Sequence, residues 1–171
     1  MSYNFLNLDA DTREYMLAEL AQDIDAHRVY SSPRLSANGH AAYTALLEDA
    51  FASGNPDTLA SGLSAPGLFN STETTNAGVV RKMASNAPSL LAGGEFNRYY
   101  MRAVAARALA GGQPHVTVYR ARESGWHRPE SDAQIGQNLD AEQLLEHLRA
   151  NTLTPDAITM PDVNSGLSVH L

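Results

Sequence analysis

The charges of this chain come in three blocks, and any fold has to accommodate their order. Residues 1–80 carry ten Asp or Glu against three Arg. Residues 81–128 carry eight Lys or Arg against two Glu, and residues 129–171 carry seven Asp or Glu against one Arg. Seven of the eight central bases are arginine, whose planar fork suits carboxylates and phosphates. Two arrangements satisfy this order. In one, the basic block packs between its acidic flanks and neutralises them, which is the commoner fate of charges. In the other, it forms a basic face for phosphate or an acidic partner. Pairing with acids such as Asp23, Asp25, Asp140 and Glu142 would mark the first, and convergence of the bases on one exposed face the second.

The 171 residues suffice for one ordinary domain with a real core. A hydrophobic share of 43% against 18% charged places the chain among globular proteins. The absence of cysteine excludes disulfides, thiolate-held metals and thiol catalysis. A net charge of −7 weighs against a protein that coats nucleic acid, so any such binding is expected to be weak and salt-dependent. No run approaches the roughly 18 apolar residues of a membrane span, and the start lacks a signal-peptide pattern. The expected location is the cytoplasm, with no membrane partner.

Periodicity predicts a mainly helical chain. Asp9 can cap a helix over residues 10–27 whose apolar stripe is Leu17, Leu20, Ala21 and Ile24. Asp23 and Asp25 lie off that stripe and read as solvated surface. A second helix fits residues 39–53, with Tyr43, Leu46, Leu47, Ala50 and Phe51 inward and Gly54 as its stop. Asn55-Pro56 starts a short helix over 56–62. Residues 64–80 read as a loop, rich in Gly, Asn, Ser and Thr, of the length that is often mobile or functional. Asn86 and Pro88 start another helix, which Gly93-Gly94 interrupts. The alanine-rich segment Glu95 to Ala110 then forms the strongest helix and stops at Gly111-Gly112. Phe96, Tyr100, Val104 and Ala108 form its apolar stripe, with Glu95, Arg98 and Arg102 opposite. Arg107 falls back among the apolar residues, so it is expected to bury its stem and pair with a carboxylate or carbonyls. Losing it would cost about 3–5 kcal/mol were that partner buried.

His115 to Arg122 reads as a strand, with Ile135 to Leu139 as its hairpin partner. Asp140 with Gln143 resembles a capping box for a helix carrying Leu144, Leu145 and Leu148. After Asn151 prolines bar a long helix, yet the chain stays apolar. From Leu167 it alternates, with Leu167, Val169 and Leu171 on one side and Ser168 and His170 on the other. That is the pattern of a strand added to a sheet edge in this chain, a second copy or a foreign partner. The expected class is therefore mainly α with a small antiparallel β-hairpin (α+β). A single domain over residues 1–151 would carry its hairpin near 115–139 and an extended C-terminal arm over 152–171.

Catalytic signals are thin. The six histidines show no metal-site spacing, and the chain lacks HExxH, GxSxG, GxGxxG and the phosphate-loop pattern. The carboxylate pairs Asp9/Asp11, Asp23/Asp25, Glu48/Asp49 and Glu130/Asp132 fit surface, turn and capping roles better than a catalytic dyad. No catalytic residue, metal or cofactor is expected. Two clusters mix arginine with aromatics, as interface hot spots and base-stacking sites do. One runs from Gly94 to Arg102, and the other from Val118 through Arg122 into Trp126 and Arg128. The candidate partner-binding residues are Arg98, Arg102, Arg120, Arg122, Trp126 and Arg128, with Leu167, Val169 and Leu171 from the arm.

The phrases Gly94-Glu95-Phe96-Asn97-Arg98-Tyr99-Tyr100, Val118-Tyr119-Arg120-Ala121 and Arg128-Pro129-Glu130-Ser131 with Ile135-Gly136 resemble a group of small proteins encoded in tailed-phage and prophage genomes. The closing Pro161 to Val169 is similar to endings in that group. The likeness covers most of the second half of the chain and little of the first, and no residue's role is carried over by it. It implies a viral or prophage origin and the roles such genes serve: virion part, assembly factor or inhibitor of a host system. The leading expectation is a non-enzymatic protein acting through a viral or host protein partner or self-association. The alternative is a nucleic-acid accessory using residues 81–128.

Overall fold

The computed structural model describes residues 3–75, 77–123, 129–154 and 161–171. In chain order the elements are α1 (Ala10–Asp25), α2 (Ala37–Ser53), α3 (Pro56–Leu63), β1 (Thr72–Thr74), β2 (Val80–Lys82) and α4 (Ala87–Ala110). There follow β3 (His115–Arg120), α5 (Pro129–Asp132), β4 (Asn138–Asp140), α6 (Ala141–Ala150) and β5 (Leu167–His170). Helices dominate and the strands form two small antiparallel sheets, so the α+β class holds. The chain divides into two compact units, one of Met1–Tyr30 with Gly94–Leu171, the other of Ser31–Gly93.

The first unit is organised on α4. From Gly94 to Ala105 every residue of this helix is buried, the polar ones included. The expected break at Gly93-Gly94 is absent, and the helix runs straight through. Gly94 answers to packing rather than punctuation, since a Cβ there would stand 2.7 Å from the side-chain oxygen of Asn164. The stop at the other end is where the glycines predict it, with Gly112 at a left-handed φ of 74°. On α1, Asp9 caps as expected, accepting from the Thr12 amide at 3.0 Å. The buried face is not the expected stripe. It is Thr12, Met16, Glu19, Leu20 and Asp23, whereas Ala21 is exposed. The helix is rotated so that two carboxylates face inward.

The sheet of this unit has the order β4-β3-β5, all antiparallel. The predicted hairpin is its first half, with Val116 opposite Leu139. The second strand starts later than expected, at Asn138, and Ile135 is exposed in the turn. The third strand is the alternating segment of the arm, with Val118 opposite Val169 and Arg120 opposite Leu167. The acceptor edge thus belongs to this chain. Leu167, Ser168 and Val169 are fully buried. The turn before them is fastened to α4 by Asn97, whose amide donates to the carbonyls of Val163 (3.0 Å) and Leu167 (2.8 Å). At the N-terminal end, Phe5 stacks on Phe96 and lies tilted against Tyr100, and the Asn4 amide donates to the Ala121 carbonyl.

The second unit pairs α2 with α3 through Tyr43, Leu47, Phe51, Leu59 and Leu63, all buried. Ser36 caps α2 and Asn55 caps α3 in a reciprocal box with Thr58, with Pro56 in the first turn as expected. The stretch 64–80 is not wholly irregular. β1 and β2 form a two-stranded ribbon with Glu73 opposite Arg81 and Thr74 opposite Val80.

Because β5 is a core strand, its inward residues should carry stability that its last residue does not. Leu167→Ala is expected to cost about 2–5 kcal/mol by urea unfolding. Leu171→Ala, at a position 36% exposed, should change stability by about 0.5 kcal/mol or less. Equal effects at the two positions would contradict this assignment.

Candidate functional site

The candidate arginines of the first cluster lie inside. Glu19 and Asp23, one turn apart on α1, both face Arg102 of α4. Arg102 Nη2 lies 2.7 Å from Glu19 Oε2 and Nη1 lies 2.5 Å from Asp23 Oδ2. The Tyr99 hydroxyl donates to the same Asp23 oxygen at 2.8 Å. Arg149 of α6 closes on the other oxygen of Glu19 at 2.5 Å. Thr152 accepts from Arg102 at 3.2 Å, and Arg98 donates to the Asn151 carbonyl at 2.8 Å, which ties the end of α6 to α4. Arg98 and Arg102 are 1% and 0% exposed, so the expectation that they meet a partner is corrected. Asp23 is likewise buried rather than solvated, while Asp25 is exposed.

The electrostatics of this cluster are those of charges removed from water. Burial alone would raise the Glu19 pKa, but hydrogen bonds and charge from Arg149 and Arg102 outweigh it and hold the carboxyl below its ordinary value. Burial alone would lower the Arg102 pKa, and the carboxylates of Asp23 and Glu19 raise it instead. Glu95 is less well served. Arg98 Nε lies 3.3 Å from its Oε1 without forming a hydrogen bond, and Oε2 has no hydrogen-bond partner. Burial pushes Glu95 up to about 7, with Arg98 and Arg102 pulling back and Asp23 adding to the rise.

The remaining candidates scatter. Arg120 donates to the Asp132 carboxylate. Arg122 donates to the Asn164 carbonyl at 3.2 Å and lies over the Tyr3 ring. Trp126 and Arg128 lie outside the described residues. Leu167 and Val169 are buried in the sheet, where no partner reaches them, and Leu171 is partly exposed. Arg107 pairs as expected, its Nη1 donating to both Asp9 carboxylate oxygens at 2.7 and 2.8 Å and its Nη2 to Asp11 at 3.2 Å. Those partners are 52% and 71% exposed, so its loss should cost about 1 kcal/mol or less, not 3–5. Five central arginines, Arg81, Arg98, Arg102, Arg107 and Arg120, thus have carboxylate partners within the chain. An open groove of about 450 Å³ lies beside Arg107, lined by Asp11, Glu14, Tyr15, Gln113 and Leu171 among others. Among the described residues no group of three or more His, Asp or Glu is placed to hold a metal ion, and no helix is long and apolar enough to cross a membrane.

The surface that sequence reasoning missed is the β1–β2 ribbon of the second unit. Its residues are exposed on both faces, except Glu73 and Thr75, which are partly covered. Val79 and Val80 are 59% and 66% exposed, more than any other large hydrophobic residue among those described. An isolated two-stranded ribbon is marginal in water. Here Glu73 braces it, held by Arg34 and Arg81, each at 2.8 Å. Asn70 ties its base to the carbonyls of Arg34 and Leu35. The available signal was the β-branched run of Thr72, Thr74, Val79 and Val80.

No protein-family model, curated protein or solved structure matches this chain.

Two variants probe the buried cluster. Arg102→Ala leaves Glu19 and Asp23 buried without their shared cation, and should cost about 3–5 kcal/mol. A loss under about 1 kcal/mol in urea unfolding would show the pairing to be dispensable. Glu95 acts through pH. Unfolded, it releases its proton near 4.5; folded, it keeps the proton to about 7. Its penalty is absent below the first value, grows between the two and is complete above the second. Glu95→Gln should therefore gain stability relative to wild type as pH rises, by a total on the order of 3 kcal/mol. A wild-type-minus-variant difference that stays flat from about pH 4 to pH 8 would contradict this.

Proposed function

We propose that this chain is a non-enzymatic interaction or structural protein, encoded by a phage or prophage. It works through contact with another protein, and the β1–β2 ribbon is its contact surface. The observation that carries the reading is the exposure of Val79 and Val80 on a ribbon with no third strand among the described residues. Exposed apolar residues beside unpaired strand edges are a liability unless something uses them. The phrases of the second half that resemble tailed-phage and prophage proteins support the setting. The role within it is virion component, assembly factor or inhibitor of a host system.

The nucleic-acid alternative needed the central arginines on one open face. Arg98, Arg102, Arg107 and Arg120 are instead engaged by carboxylates of the chain, which withdraws the main argument for it.

The reading is tested with the tagged chain expressed in infected or lysogenic cells, beside the Val79→Asp, Val80→Asp double variant. A protein that co-purifies with the wild type should be lost from the variant, while the melting temperature stays unchanged because neither valine is packed. Equal capture of that protein by both forms would overturn the ribbon as the contact surface.

A further inference from the structure

The open edge of the ribbon is β2, and its chemistry is asymmetric. β2 pairs with β1 on one side only, and on its other side no strand is present among the described residues. The sequence along that edge is Val79, Val80, Arg81 and Lys82, all exposed. Glu73, the one acid of the ribbon's strands, is shared by Arg34 and Arg81, so one carboxylate answers two guanidiniums and is not left for Lys82. The edge therefore offers two aliphatic side chains followed by Arg81, which shares Glu73 with Arg34, and Lys82, so its cations outnumber its single carboxylate.

We propose that the outer edge of β2 accepts an extended acidic segment of a partner protein as an added antiparallel strand. This rests on the reading of the ribbon as the contact surface and specifies what it takes. Backbone hydrogen bonds to the open edge would supply affinity, and the residues directly opposite would set register. Antiparallel to β2, the incoming chain meets Lys82 first and Val79 last. Its fitting order is two acids followed by two apolar residues. A second copy of this chain fits less well, because two β2 strands would bring Arg81 and Lys82 from both chains into one short ladder without an acid. Lysine at an edge is itself a device against such self-pairing.

The test is an amide NMR titration of the full chain with two synthetic peptides, taken to millimolar concentration. One is acetyl-Thr-Glu-Glu-Val-Val-Thr-amide, and the other replaces both glutamates with lysine. The acidic peptide should shift the amides of residues 79–83 and the lysine peptide should not. Lys82→Glu, an exposed change, should weaken the acidic peptide about fivefold or more. Equal binding of both peptides, or binding of neither, would overturn the proposal. Broadening of the same amides with protein concentration in the absence of peptide would overturn it in favour of a second copy. These outcomes are separate from the capture experiment. A native partner that depends on Val79 and Val80 while neither peptide binds would leave the contact surface standing and remove the acidic strand.

Discussion

The pairing of Arg102 with Glu19 and Asp23 fixes more of this protein than any other contact. All three side chains are sealed from water, and an isolated charge there would be costly. The two carboxylates stand one helical turn apart on α1, so both reach the guanidinium only when that face of α1 turns inward. This overrides the apolar stripe and leaves Ala21 in solvent. The same cluster reaches α6 through Arg149 and Thr152. Net stability is not the main yield of such a pairing, since an apolar replacement of similar volume often does as well. Its effect is selective: a rotated α1 or a displaced α6 would strand a charge.

Much of the fold was legible because it is written locally. The caps at Asp9 and Asn55, the stop at Gly112 and the pairing of β3 with β4 each depend on a few neighbouring residues. The alternation from Leu167 to Leu171 marked a strand, although only the structure shows which edge receives it. What misled was the meaning of polarity. A polar stripe on α4 looks the same in sequence whether water or counter-charges lie opposite, so Arg98 and Arg102 read as surface. Gly94 read as punctuation because the approach of Asn164, seventy residues away in the chain, leaves no local trace. The block order of charges held the global information, and it favoured internal pairing.

The ribbon was hidden for a different reason. Three-residue strands are too short for a period to declare itself, and threonines flanked by glycine and asparagine look like loop. Its brace, Glu73 between Arg34 and Arg81, joins residues far apart in sequence. The features for which it is proposed as the contact surface, exposure and an unpaired edge, are properties of three dimensions alone.

The unit of residues 31–93 is continuous, whereas the other is assembled from chain on both sides of it. That division sets an order during translation. All residues of the continuous unit are synthesised before β3, so it can fold while synthesis of the rest proceeds. The interrupted unit must wait for much longer. Its central strand β3 lacks one neighbour until β5 emerges, and α1 holds Glu19 and Asp23 without their counter-ion until α4 is complete. The nascent chain therefore carries an unfinished half that matures only as its last strand arrives.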